Sequence, residues 1–253
     1  MMIRDLRTVI DGWAYEPGKI SVRKIIGCDG REKIQTRIDL GVLQLECTGR
    51  PDGLRPHDCE SLLEYHEQRL REHIELYGND EDFVLSGEAC RDLRHEAYLY
   101  YQRFLSLYVL EEYDGMERDT ARNLRAIELC LRYAAADRDR AILRPQRAYV
   151  MMMNTRARAQ RALAKDQTEA ALRVVDEGMA ALRRLARDEP DDPFLAEIRT
   201  LQGLRREILD KLPEGTPARL RAELEVAIAT EDYERAALLR DRLGQAADCA
   251  PGR

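Results

Sequence analysis

No catalytic signature stands out in this sequence, and what it lacks narrows the field. Its six cysteines, Cys28, Cys47, Cys59, Cys90, Cys130 and Cys249, form no C-x-x-C pair. That excludes the common zinc and dithiol frameworks, and thiols scattered through a chain with no secretory signal read as reduced, in cytosol. No stretch approaches the ~18 apolar residues of a membrane span. The opening "MMIRDLRTVIDGW" has no apolar signal core either, so a cytoplasmic protein without membrane attachment is expected. The pattern G-x-x-x-x-G-K-[ST], whose backbone would cradle a nucleotide's phosphates, does not occur. A cationic excess is missing too. The net charge of −6 argues against general nucleic-acid binding, which needs a basic surface to neutralise phosphates.

What is present is helix-forming. Charged residues make up 35% of the chain and hydrophobic residues 44%, with abundant Ala, Leu, Glu and Arg, which points to long amphipathic helices. The length of 253 residues allows one large domain or two small ones. Only the N-terminal part differs in kind. Ile20, Val22 and Ile26 alternate with polar neighbours, as do Ile34, Ile38 and Leu40, and Asp29-Gly30 between the runs suits a tight hairpin turn. A third run, Val42 to Cys47, ends in the turn cluster "GRPDG". These predict a three-stranded antiparallel meander whose apolar face needs a cover, with the following helix as the natural candidate.

Beyond it the period changes to that of helices. A helix opens near Asp58 or Ser61 on Leu63, His66, Leu70, His73, Ile74 and Tyr77, and "YGND" stops it. A second runs from about Gly87 to Tyr113 on Leu93, Ala97, Tyr101, Phe104, Leu105 and Tyr108, with Gly115 as the breaker. A third carries Leu124, Ile127, Leu131 and Ala134, and Pro145 is placed near the start of the next. Thr168 can cap a helix with Ala171, Leu172, Val175, Met179 and Leu182 on its inner face, while small Ala171 and Gly178 let an antiparallel helix approach. The pair around Lys165 resembles a tetratricopeptide unit; a plain helical bundle accounts for the same pattern. Asp192-Pro193 then caps a helix that runs to Leu212 on Leu195, Ile198, Leu201 and Ile208. The expected architecture is α+β, mainly α: a β-meander over 1–56, a tetratricopeptide-like helical bundle over 57–212, and a helical hairpin over 217–245.

The hairpin follows "PEGTP", a cluster of helix breakers in which Thr216-Pro217 repeats the cap-then-proline arrangement. Leu220, Leu224, Ala227 and Ile228 stripe one short helix. Asp232 caps a second, striped by Tyr233, Ala236, Ala237, Arg240 and Leu243. Helices this short are marginal alone, so the hairpin needs a further surface. The run Asp232-Tyr233-Glu234-Arg235-Ala236-Ala237, then Leu239-Arg240-Asp241-Arg242-Leu243, resembles the UVR motif, a helical hairpin of the UvrB and UvrC subunits of bacterial nucleotide excision repair and of regulators of Clp-type unfoldases. The zinc-binding Cys pairs of those regulators, the helicase motifs of UvrB and the nuclease motifs of UvrC are not in this sequence. The resemblance implies protein–protein contact through paired hairpins and no catalysis. Its partner would be a UvrB/UvrC-type subunit, a Clp-type unfoldase or a second copy. Tyr233, Ala236, Ala237 and Arg240 would carry the contact, backed by Leu224 and Ile228. Tyr233 is an anchor type enriched in interface hot spots, and the alanines leave room for a partner backbone.

Other constellations compete weakly. Cys59, His66 and His73 fall at seven-residue steps, ~10 Å apart along a helix, too far for one ion. His95 sits beside Glu96 in an aromatic helix, with no Cys or Ser close by in sequence to activate. Arg50 and Arg55 in the rigid loop "GRPDGLRPHD" could hold a carboxylate or phosphate, or merely order a turn. Met151 to Met153 read as core filler. Between His57 and Ala97 twelve acidic residues face four basic ones, and between Arg138 and Lys165 eight basic residues face one acidic. Either the two stretches attract each other within the fold, or 138–165 is a groove for an acidic peptide or a phosphate backbone. The expected function is therefore a non-enzymatic adaptor or scaffold without cofactor or metal. The alternative is a nucleic-acid-associated repair accessory working through 138–165.

Overall fold

The computed structural model describes residues 5–188 and 194–248. It is mainly helical, with one small antiparallel sheet at the N-terminal end. The chain divides into two compact units, Met1–Ala157 and Arg158–Arg253. The sequence places boundaries near 56 and between 212 and 217 instead.

The first unit begins with a single helical turn, α1 (Arg7–Ile10), and the meander β1 (Ser21–Ile26), β2 (Glu32–Ile38) and β3 (Gly41–Glu46), paired in the order β1-β2-β3. Ile34 lies between Lys24 and Leu45, and Thr36 between Val22 and Leu43, so these residues share one face. The opposite face carries a hydrogen-bonded polar row: Arg23 Nε donates to Gln35 Oε1 (2.9 Å) and Gln35 Nε2 to Gln44 Oε1 (3.0 Å). Trp13 lies 4.1 Å from the Arg23 guanidinium. The cover for the Ile34 face is not the helix that follows in sequence. It is α3 (Gly87–Val109), whose Ser106 hydroxyl pairs with that of Thr36 at 2.7 Å. Arg103 Nη1 from α3 also donates to the Glu46 carbonyl (2.9 Å). These bonds bind sheet and helices into one unit, which is why 1–56 does not separate.

Before α3 comes α2 (Leu62–Tyr77), opened by Ser61, whose hydroxyl accepts from Glu64 N, and closed by Gly78 in the left-handed conformation. Ser86 opens α3 in the same way through Ala89 N. α3 and α4 (Tyr113–Tyr133) form a helical hairpin. The break between them is at Leu110–Glu112, where Glu111 adopts a positive φ of 58°, and not at Gly115. Gly115 sits inside α4, where an added Cβ would lie 3.1 Å from Leu107; its smallness admits the neighbouring helix. The inner face of α3 uses Cys90, Leu93, Tyr100, Phe104 and Leu107, with Tyr100 in the place expected for Tyr101. Against it stand Ala126, Ile127, Leu129, Cys130 and Tyr133 of α4. α5 (Asp137–Leu163) contains Pro145 in its interior, not at its start, and the division between units falls within this helix.

In the second unit α6 (Thr168–Asp188) packs against α7 (Leu195–Lys211), and its Glu177 lies 3.8 Å from Arg158 of α5. All five residues expected on the inner face of α6 are buried, as are Leu201, Leu204 and Ile208 of α7. The Asp192-Pro193 cap lies outside the described residues. α8 (Pro217–Ala229) and α9 (Tyr233–Asp248) close the chain as a hairpin. Arg219 Nη1 donates to the Leu212 carbonyl (2.9 Å), and Arg205 of α7 reaches Glu225 of α8 (3.3 Å).

Candidate interaction surface on the C-terminal hairpin

Thr216 precedes α8 and Pro217 takes its first turn, where a missing N–H costs nothing. The turn after α8 places Glu231 at a positive φ of 58°, and the Asp232 carboxylate accepts from Arg235 N (3.0 Å), capping α9. Between the helices lies a small core of Leu220, Ala227 and Leu239, flanked by half-buried Leu224, Ala236 and Leu243. All six belong to the hairpin itself. Leu239, absent from the stripe read in the sequence, is the α9 residue buried most deeply in this core. Its neighbours at three- and four-residue spacing, Ala236 and Leu243, are the signal that could have found it.

The six residues proposed from sequence for partner contact separate into two groups. Leu224 and Ala236 turn toward the hairpin's own core. Ile228 (56% exposed), Tyr233 (69%), Ala237 and Arg240 face solvent. With ~100° per residue, Ile228 lies to one side of the α8 core stripe, and Tyr233, Ala237 and Arg240 lie to the matching side of the α9 stripe. In an antiparallel pair those two sides form one flank. The other flank is charged: Glu223 lies 3.3 Å from Arg219 and 4.0 Å from Arg235. Val226 (61%) and Leu238 (66%) are further exposed apolar side chains on the outer sides of the two helices. The hairpin thus consumes its central apolar stripe internally and leaves a second, amphipathic surface open.

Residues 218–246 match the protein-family model described as UVR, the UvrB/uvrC motif. The matched span begins one residue inside α8 and ends in α9, so the UVR hairpin coincides with this structural element. No curated protein and no solved structure matches the chain.

Outside the UVR hairpin, the remaining candidates are drawn into structural work. Arg50 Nε lies 3.3 Å from Glu96 and 3.4 Å from Asp52, and Arg55 donates to the Asp58 carbonyl (3.2 Å). The cavity of about 850 Å³ beside this loop is lined by Arg31, Arg50 and Arg55 and by Asp29, Glu32, Glu46 and Glu60, so its walls carry both signs of charge. Buried Glu96 accepts from Leu62 N (2.7 Å) and Leu63 N (3.2 Å) and pairs with Arg122, so it anchors the start of α2. His66 is buried, and burial, with Arg69 and His57 adding to it, pushes its pKa down to about 4. His73 packs beside Tyr77 and Phe83, and the Cys59 thiol is 4.0 Å from Gln68. Among the described residues, no three potential ligands converge on a metal position.

The charged stretches find separate partners. Glu67, Asp80 and Glu96 of the acidic stretch pair with Arg125, Arg132 and Arg122 of α4. In the basic stretch Arg140 pairs with Asp137, Arg147 with Glu128 and Arg158 with Glu177, while Arg156 donates to the Tyr108 hydroxyl. Among the described residues, no helix is long and apolar enough to cross a membrane.

Proposed function

We propose that this chain is a non-enzymatic cytoplasmic adaptor of bacterial type, whose tetratricopeptide-like helical body presents the UVR hairpin to another protein. The observation that carries the reading is the exposed flank of Ile228, Tyr233, Ala237 and Arg240 on a hairpin that matches the UVR motif. An aromatic ring with a polar tip, an aliphatic neighbour, a small residue that lets a backbone approach and a guanidinium that can fix register are what an interface of modest size uses. The partner would be a UvrB/UvrC-type subunit or a Clp-type unfoldase, which places the protein in excision repair or protein quality control, or a second copy of the chain.

The test compares three proteins in affinity capture from native lysate and in sedimentation: the intact chain, a chain ending at Leu212, and the double variant Ile228→Asp, Tyr233→Asp. One set of bound proteins, or self-association, should be present with the intact chain and lost from both others. Retention of the same partners by both altered proteins removes the hairpin from the function.

A further inference from the structure

The second unit contains a groove that the UVR flank does not use. It has a volume of about 640 Å³ and runs between α6, α7 and α8. Met179 and Ala222, both buried, form its floor together with half-buried Leu209, and exposed Val226 forms one edge. α8 therefore carries apolar residues on opposite sides: Leu220 and Ala227 face α9, whereas Ala222 and Val226 face the groove. A helix that is apolar on two sides serves two contacts.

The charges around this floor are unequal. Both carboxylates of the groove, Asp176 and Glu225, are taken by one residue: Arg205 Nε donates to Asp176 (2.7 Å) and Arg205 Nη2 to Glu225 (3.3 Å). Arg183 and Arg206 line the same groove, are exposed, and have no anionic partner among the described residues. An apolar floor beneath two guanidinia that no described carboxylate pairs with is complementary to one kind of surface, a helix with an apolar stripe bordered by carboxylates. Guanidinium binds carboxylate as a two-pronged, charge-assisted pair, and helix-in-groove docking reads apolar anchors at three- and four-residue spacing.

We propose that this groove is a second docking site, which takes an acidic amphipathic helix of a partner protein. The inference rests on the reading of the chain as an interaction protein, but on different residues from the UVR flank. A free phosphate group would satisfy the arginines and leave the floor unused, which is why the acidic helix is favoured.

The test uses the full chain and a fluorescein-labelled helical peptide of about 18 residues, with Leu at three- and four-residue steps and Glu elsewhere, against the same peptide with Lys for Glu. Fluorescence anisotropy should show saturable binding of the Glu peptide that weakens with salt, and much poorer binding of the Lys peptide. The double variant Arg183→Glu, Arg206→Glu, which changes only exposed side chains, should weaken the Glu peptide about tenfold or more. Arg183→Lys, Arg206→Lys should lose less, and Tyr233→Asp should bind as the unaltered chain does. Equal binding of the two peptides, no effect of charge reversal, or displacement of the peptide by inorganic phosphate or a short DNA duplex at comparable concentration would overturn the proposal. Peptide binding together with failure of hairpin-dependent capture would leave the groove standing and remove the UVR reading alone.

Discussion

Arg103 and Asp119 show how much a few side chains decide here. Both are fully buried, and Arg103 Nε and Nη2 donate to the two Asp119 oxygens at 2.6 and 2.8 Å. Arg103 also holds the end of β3, so one guanidinium joins α3, α4 and the sheet. Removing one partner strands a buried charge. Asp119→Ala is expected to cost about 3–5 kcal/mol in urea unfolding, and the apolar pair Arg103→Met, Asp119→Leu to recover much of that loss. His66 supplies a pH dependence. Its neutral form is favoured in the folded chain, where its pKa is about 4 against an ordinary 6.5. The unfolded chain therefore takes up the proton first. Stability present above pH ~6.5 should fall as pH drops toward ~4, and His66→Gln should flatten that slope in denaturant midpoints measured across the window. His66 stood on the apolar face read for its helix, but Arg103 did not announce its role in the sequence. A lone Arg in a helix looks the same whether it meets water or a partner many residues away.

The helices themselves were far more legible. Ser61, Ser86 and Asp232 cap where short polar side chains precede apolar periodicity, Gly78 stops α2, and Pro217 opens α8, because these effects act over one turn of chain. Local rules failed where a neighbouring element competed. Gly115 looked like a breaker, yet its missing side chain is filled by Leu107. Pro145 looked like a helix start, yet α5 continues through it. The hairpin gives a test of the same balance. A peptide of residues 217–248 should show little helix by circular dichroism at micromolar concentration, since two short helices share only a small core. In the full chain Leu239→Ala should raise amide exchange across α8 and α9 while leaving α2 to α4 unchanged, because that residue closes the hairpin's own core.

The charge pattern of the chain as a whole bears on its partners. Most arginines of the 138–165 stretch for which a contact is described meet carboxylates or a tyrosine hydroxyl, so they are only partly free for phosphate. With a net charge of −6, the intact protein is expected to show no DNA binding that weakens steeply between low and moderate salt. A measured slope corresponding to several phosphates, abolished by Arg138→Ala, Arg144→Ala, would instead favour the repair-accessory reading. The amino-acid order alone determined the mainly helical class, the three-stranded meander, most helix ends and the UVR hairpin, because periodicity, caps and turns act between near neighbours. Only the folded chain decided that α3 covers the sheet, that α6 pairs with α7, and that Leu224 and Ala236 turn inward while Tyr233 stays exposed. Those outcomes depend on which surfaces, distant in sequence, bury the most apolar area and satisfy the most buried charge when brought together.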